Sequence, residues 1–383
     1  MNFTDEEIKA CSATKGDLLV CEGGAGYGRS AIWPYDYDIC LQNHVHRLRP
    51  YIDGICEYVY YFIYLLKESN QLASVGTAMP GLSANRLKGL LLPLPPQREQ
   101  KHIVDMLTKV IPFVERYDNI EKNLSQLNAD LPLLIKKSIL QEAIQGKLVQ
   151  QAPNDEPASV LLQRIKEEKQ RLVKEGKLKK KDVVDSDIFK GDDNKYYEQI
   201  GQEIVDITDD VPFDLPDNWQ WVRFGQIVRM CIGKTPARGD VRYWSDATKP
   251  WVSISDMADY GHINNTKEKI SNAAAASIMG SISPVGSLLM SFKLTVGRTS
   301  ILDIDAYHNE AIISIYPFID EDFALRDYLF YTLPVLSNMG DSKDAIKGKT
   351  LNSKSLNSLL IPLPPLKEQR HIINRLEELY AHL

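Results

Sequence analysis

No run of apolar residues in this chain approaches the roughly 20 that a bilayer demands; the longest, Tyr58 to Leu66, falls well short. The opening MNFTDEEIKACS lacks the basic and then apolar pattern of a secretory leader. The expected location is the cytoplasm. Cysteine is scarce and scattered, at positions 11, 21, 40, 56 and 231, and no C-x-x-C pair frames a zinc or dithiol redox site. Reduced, mostly buried thiols are expected.

Catalytic signatures are missing as well. There is no G-x-S-x-G elbow and no catalytic cysteine motif. Two strings spell G-K-T, Gly233-Lys234-Thr235 and Gly348-Lys349-Thr350. A phosphate-binding loop needs another glycine five residues before the first of these, where Val228 and Lys343 stand. The stretch GGAGYG, Gly23 to Gly28, lacks the dinucleotide spacing and reads as a tight turn. His44 and His46 form an H-x-H with no further ligand at metal spacing, and Glu167-Glu168-Lys169 reads as the solvated face of a charged helix. Metal, cofactor and stand-alone catalysis are therefore not expected of this chain.

Positive charge is not in excess either. Lys and Arg number 45 against 51 Asp and Glu, a formal charge of -6. Attraction to phosphate depends on the local field, however. From Leu215 to Ser300 the balance inverts, with ten Lys/Arg against six Asp/Glu, a net of +4.

What the sequence does contain is itself, repeated. LPLPPQREQKHI at residues 92 to 103 returns as IPLPPLKEQRHI at 361 to 372. The same offset of 269 carries Gly28-Arg29 onto Gly297-Arg298, Leu82 onto Leu351 and Leu87 onto Leu356; upstream it slips to 270, where GDLLV from Gly16 meets GSLLM from Gly286. So long a period marks a domain duplication rather than a solenoid. The first copy is expected to lack its opening portion, because the counterpart of Leu215 would precede Met1, and the second is expected to stop where the first continues.

Helices are predicted between the copies. From Ile103 through Leu107, Val110, Val114, Tyr117, Ile120, Leu124, Leu127, Leu131 and Leu134 the apolar spacing alternates mostly between four and three, a coiled-coil-like seam that Pro112 and Pro132 are expected to kink or divide. A helix over Ser138 to Val149 is expected to end near Gly146, and another covers Ala158 to Gly176. The lysine run KLKKKD follows, and the acidic, weakly periodic stretch Asp185 to Asp210 reads as a loosely held linker. Proline before each repeated helix start suits the first turn, where amides lack intrahelical partners, and Glu99 and Glu368 would then favour the positive end of the dipole. The expected organisation is a first globular domain over 1–96, incomplete at its start, a helical segment over 97–150, a helix and charged linker over 151–214, a second globular domain over 215–365, and a truncated helix start over 366–383.

The remaining chemistry is that of a recognition surface. The segment Ile232 to Met257 sets Lys234, Arg238 and Arg242 among Tyr243, Trp244 and Trp251, with turn-formers Gly233, Pro236 and Gly239. Basic groups can position a phosphate backbone, and polar planar groups can read base edges in the major groove. At least one of the two tryptophans is expected in the core. A hairpin over Ser291 to Ser300 adds Lys293, Thr295 and Arg298, with Arg29 in the matching place of the first copy. Thr235 and Ser253 complete the candidate DNA-binding set.

These strings together resemble the specificity subunits of type I restriction-modification systems. LPDNWQWVRFGQI resembles the opening of a target recognition domain, GKTPARGDVRYW and KPWVSISDM its interior, and LNSKSLNSLLIPLPPLKEQRHII its close; LLIKKSILQEAIQGKLV and EPASVLLQRIKEEK resemble the central region. The resemblance implies α+β recognition domains of mixed sheet and short helices, joined by long antiparallel coiled-coil-like helices. It also implies that each domain reads half of a bipartite site in double-stranded DNA while the helices set the spacing and dock the modification subunits, and through them the restriction subunits. Those partners would bring S-adenosylmethionine, ATP and magnesium. Against the family pattern the chain is expected to be truncated at both ends, with a poorly reading first domain. An assembly scaffold without DNA binding, or a stand-alone DNA-modifying enzyme, are the alternatives.

Overall fold

A computed structural model describes residues 4, 6, 8, 11–72, 81–152, 154–179, 183, 185–293, 295–339 and 351–383. Gly348-Lys349-Thr350 lies outside them, as do Lys180, Lys181 and Asp182 of the KLKKKD run. The chain divides into two units, residues 1–129 and 130–383.

In the first unit, β1 (Ser12–Ala13) pairs with β4 (Ile39–Cys40). Strands β2 (Leu18–Cys21), β3 (Ser30–Ile32) and β5 (Val45–Leu48) form an antiparallel sheet in the order β3-β2-β5. Alternation along β2 turns Leu18 and Val20 inward, where they meet Cys56 and Ile63 of helix α1 (Ile55–Glu68) and Leu72 and Leu82 beyond it. Burying each such side chain contributes about 1.5–3 kcal/mol. A short helix α2 (Ala84–Lys88) leads to the doubled proline.

Helix α3 then runs from Gln97 to Ile144, and the division between the units falls within it. The expected break at Pro112 or Pro132 is corrected: the helix continues through both. Each ring removes one backbone hydrogen bond and crowds the preceding turn, but this stretch is largely solvent-exposed, so water can satisfy the released carbonyls. The apolar seam is exposed too, from Val110 and Val114 through Tyr117, Ile120, Leu124 and Leu127 to Leu134. The helix ends as expected near Gly146, which has φ +69.

The second unit opens with α4 (Ala158–Lys174). The stretch expected to be a loose linker is instead an antiparallel sheet of β6 (Asp187–Lys190), β7 (Tyr196–Ile200) and β8 (Glu203–Asp206). Its few apolar residues suffice because Ile188 and Ile207 close on Trp221, a residue distant in sequence. Lys169 is a second correction. It is 1% exposed and is ion-paired with Asp185, its ammonium 5.6 Å from the centroid of the Phe318 ring, so this part of α4 is packed against the unit rather than solvated.

Beyond this sheet come β9 (Gln220–Arg223), α5 (Phe224–Ile227), β10 (Val228–Ile232), α6 (Val241–Trp244), β11 (Lys249–Val252), β12 (Gly261–Ile263), β13 (Glu268–Ile270) and α7 (Asn272–Ser277). They are followed by β14 (Leu288–Ser291), β15 (Thr299–Leu302), β16 (Tyr307–His308), β17 (Ile312–Pro317), α8 (Ala324–Met339), α9 (Ser353–Asn357), β18 (Leu360–Leu363) and α10 (Leu366–Ala381). A mixed sheet, β10-β17-β14-β15-β12, is antiparallel except at its β12 edge; β13-β11-β16 forms a smaller sheet, and β18 pairs with β9. Leu288, Met290, Ile313 and Ile315 share a core with Leu325, Tyr328 and Leu333 of α8, Ile372 and Leu376 of α10, and Leu140 and Ile144 of α3. Tyr380 donates to the carbonyl of Lys136 at 3.3 Å and Gln151 donates to Glu368 at 2.6 Å, so α10 runs antiparallel to the end of α3.

The duplication is visible element by element: β2, β3, β5, α1 and α2 recur as β14, β15, β17, α8 and α9, with the strand order preserved. Gly16 and Gly286 share positive φ, +87 and +83, as do Gly28 and Gly297, +73 and +89, so the same turns bound both hairpins. Pro365 is the N-cap of α10, one place before the first turn expected for it, while Glu99 and Glu368 do occupy first turns. The copies differ in cover. Leu363 on β18 is 0% exposed opposite β9, whereas its counterpart Leu94 is 64% exposed, with no strand paired to it among the described residues.

Among the described cysteines only Cys56 is buried; Cys11, Cys21 and Cys231 are half-buried and Cys40 is exposed, which corrects the expectation of mostly buried thiols. No helix among the described residues is long and apolar enough to cross a membrane.

Candidate nucleic-acid interface

At the end of β10 the chain turns through Gly233. A Cβ there would collide with the carbonyls of His308 and Asn309, so only glycine lets the loop leave the sheet at this point. The amides of Gly233 and Lys234 donate to the carbonyls of Ile312 and His308 at 3.1 and 2.9 Å. Trp251, 1% exposed, donates its indole N–H to the carbonyl of Lys234 at 3.1 Å and is thus the expected core tryptophan. Trp244, half-buried, packs edge-on against it and ties back to the carbonyl of Ala237 at 3.0 Å. The aromatic pair is a rigid floor.

The guanidinium of Arg238 lies 4.2 Å from the centroid of the Trp244 ring and makes a bidentate pair with Glu268, at 2.5 and 2.9 Å. That pairing raises Arg238 above its ordinary pKa and holds Glu268 below the usual carboxylate range. Arg242 pairs with Asp240 at 2.7 Å, and Arg298 with Asp259 at 3.0 Å while also donating to the carbonyl of Met257. All three arginines proposed from the sequence for this unit are therefore neutralised within it. Thr235 bonds Glu310, and Ser253 bonds Asp256 at 2.8 Å as the cap of a short turn. Tyr243 is half-buried beside the Arg242 guanidinium, 5.8 Å from its ring centroid.

Lys234 is exposed and forms no ion pair among the described residues. Lys293, with its ammonium 5.3 Å from the Phe292 ring, and exposed Thr295 lie on the β14–β15 turn. Arg29, also exposed, belongs to the first unit. The structure thus draws Lys234, Thr235, Arg238, Arg242, Tyr243 and Ser253 onto and around the small β13-β11-β16 sheet, and Arg298 joins them through Met257 and Asp259.

Sequence reasoning overlooked Lys249, Lys267 and Lys269, which are exposed on the same small sheet or beside it. The alternation Lys267, Glu268, Lys269, Ile270 was the available signal, since a strand sends successive side chains to opposite faces. It also missed the carboxylates that occupy the arginines. Among the described residues no group of His, Cys, Asp or Glu could hold a metal ion.

The profile of the family described as "Type I restriction modification DNA specificity domain" matches residues 3–126 and 216–383. The specificity subunit of the EcoEI type I restriction enzyme of Escherichia coli is 43% identical over 105 residues, 27% of this chain and 14% of that protein. The EcoAI subunit, also of Escherichia coli, is 28% identical over 235 residues, 49% of this chain and 36% of its own length. The HindI subunit of Haemophilus influenzae is 23% identical over 94% of this chain and 79% of that protein, which gives the expectation of truncation at both ends no support. A solved structure titled as the basis of complex assembly and conformational transition of the type I R-M system matches with a TM-score of 0.50 and 20% identity, covering 97% of this chain and 75% of that one; it shows the shared fold. The HsdS subunit of Thermoanaerobacter tengcongensis matches with a TM-score of 0.46 and 21% identity, over 97% of this chain and 74% of that one. The matches to the EcoEI and EcoAI subunits span less than half of those proteins.

Proposed function

The chain belongs to the type I restriction modification DNA specificity family, and from that premise we propose that it is the DNA-reading, non-catalytic subunit of a restriction-modification complex. The observation that carries this reading is the anchored loop from Gly233 to Trp251, which mounts Lys234, Arg238 and Arg242 around a fixed aromatic floor. Lys234, Lys249, Lys267, Lys269 and Lys293 would meet phosphates, and Arg238, Arg242, Tyr243, Thr235, Ser253, Thr295 and Arg298 would lie near base edges. Arg29 would do the same for the first unit. Each unit reads one half of a bipartite site, and α3, about 70 Å long for its 48 residues, sets the spacing.

The exposed seam of α3 supports docking of modification subunits, because apolar residues at coiled-coil spacing are seldom left to water. Restriction subunits would join through those partners. S-adenosylmethionine, ATP and magnesium would belong to the partners, and the cytoplasm would be the site of action. The test is an electrophoretic shift of duplex DNA by the full chain across a salt series. Binding that weakens steeply as salt rises supports the reading, since each neutralised phosphate adds about 0.9 to the slope. No shift at low salt would favour the second reading, an assembly scaffold, to which the neutralised arginines and the apolar seam are the pointers.

A further inference from the structure

Behind the anchored loop lies a buried polar chain that the DNA-reading proposal leaves unused. His308, Ser314 and Ser283 are all buried. The Nε2 atom of His308 is 2.8 Å from the Ser314 hydroxyl, which lies 2.9 Å from the Ser283 hydroxyl, and Tyr316 donates to Ser283 at 3.2 Å. On the other side of the ring, Nδ1 lies 3.4 Å from the carbonyl of Asn309. Burial pushes His308 down to about 4, so the ring is neutral near pH 7. With its proton on Nδ1, facing the Asn309 carbonyl, Nε2 accepts from Ser314, Ser314 from Ser283, and Ser283 from Tyr316. In this tautomer each hydroxyl donates along the chain toward His308, and Ser314 Oγ also lies 3.5 Å from the carbonyl of Cys231.

The backbone of the same residue touches the loop. The carbonyl of His308 accepts from the amide of Lys234, and Gly233 is packed so closely against the carbonyls of His308 and Asn309 that a side chain could not fit. On β16, His308 is also paired with Val252 of β11, the strand that follows the loop. One residue therefore holds the beginning of the loop and the strand at its end, and its ring is held from behind by the Ser314 hydroxyl, which Ser283 and Tyr316 back in turn.

We propose that His308 is a positioning residue for base reading: backed by the Tyr316–Ser283–Ser314 chain, it fixes the backbone from which Thr235 reaches base edges. The inference rests on the DNA-reading proposal and deepens it. It concerns selectivity between sequences rather than general attraction to phosphate, because His308 itself is buried and carries no charge.

The experiment first selects duplexes from a randomised pool with the wild-type full chain. Affinities for the enriched duplex and for a scrambled one are then measured with His308→Leu, which removes the acceptor, and His308→Gln, whose amide oxygen can replace it. The expected result is about a tenfold fall in the enriched-to-scrambled ratio for His308→Leu, the scale of one lost base contact. Affinity for scrambled duplex should change less than about twofold, and His308→Gln should recover most of the ratio. If His308→Leu fails to fold, Gly233→Ala, which pushes on the same carbonyl from the loop side, carries the test and should lower the ratio alone. An unchanged ratio in the folded variant overturns the inference. So does a parallel loss on both duplexes, which would mark a merely structural role. A wild-type chain that enriches nothing overturns the DNA-reading proposal, and this inference falls with it.

Discussion

Tyr328 donates its buried hydroxyl to the carbonyl of Pro362 at 2.7 Å, and Tyr58 makes the same bond to Pro93 at the same distance. Gln369 and Gln100 likewise donate to Pro364 and Pro95, at 3.1 and 2.8 Å. Proline offers no amide, but its carbonyl still accepts. The repeated L-P-L-P-P segment is thus a strap of acceptors, caught by a tyrosine from the longer helix upstream, α1 or α8, and a glutamine from the helix that follows. Tyr328→Phe would leave a buried carbonyl unpaired and should cost about 1–3 kcal/mol in urea unfolding. Tyr58→Phe should cost less, because its strap is more exposed.

Freeing an arginine should strengthen general DNA attraction. Glu268→Gln removes the charge that neutralises Arg238, so affinity for scrambled duplex should rise, and the salt slope should steepen by about 0.9 if one more phosphate is engaged. Anisotropy titrations over a salt series check this. Unchanged affinity and slope would place Arg238 away from DNA.

Lys234→Ala should act in the opposite direction. This ammonium is exposed and has no ion-pair partner among the described residues, so its removal should lower affinity uniformly across sequences and flatten the salt slope by about 0.9. A sequence-dependent loss would instead make Lys234 a base reader.

Asp320 supplies a pH test. Burial raises it from 3.8 to about 6, despite bonds from the amides of Leu325 and Arg326. Its folded value lies above the unfolded one, so its contribution to stability is fully present below about pH 3.8 and is lost as pH rises through about 6. Asp320→Asn cannot ionise and keeps an acceptor oxygen. Its stability relative to wild type should therefore improve between pH 4 and 7, in denaturant melts at fixed salt. A difference flat with pH would contradict the assignment.

The duplication was legible because glycines at turns, the proline strap and the apolar strand residues are local and recur at fixed offsets. Leu18 and Leu288 begin matching strands for the same reason. The stretch from Asp185 to Asp210 was misread because its stability comes from Trp221, which no local period reveals. Lys169 was misread in the same way, since its partner Asp185 lies beyond the helix. Pro112 and Pro132 carried a correct local cost, but one too small to end so long a helix. At the candidate interface the basic residues could be named from composition. The pairing of Arg238 with Glu268 and of Arg298 with Asp259 could not, since only the fold brings those carboxylates to them.

The most direct test is a map of methylated bases in the host genome with and without this gene. The expected result is the loss of one bipartite motif, two short specified halves separated by a fixed gap, when the gene is removed. A methylation map unchanged by the deletion, in a host whose modification subunit is expressed, would contradict the proposal that this chain selects the DNA sequence.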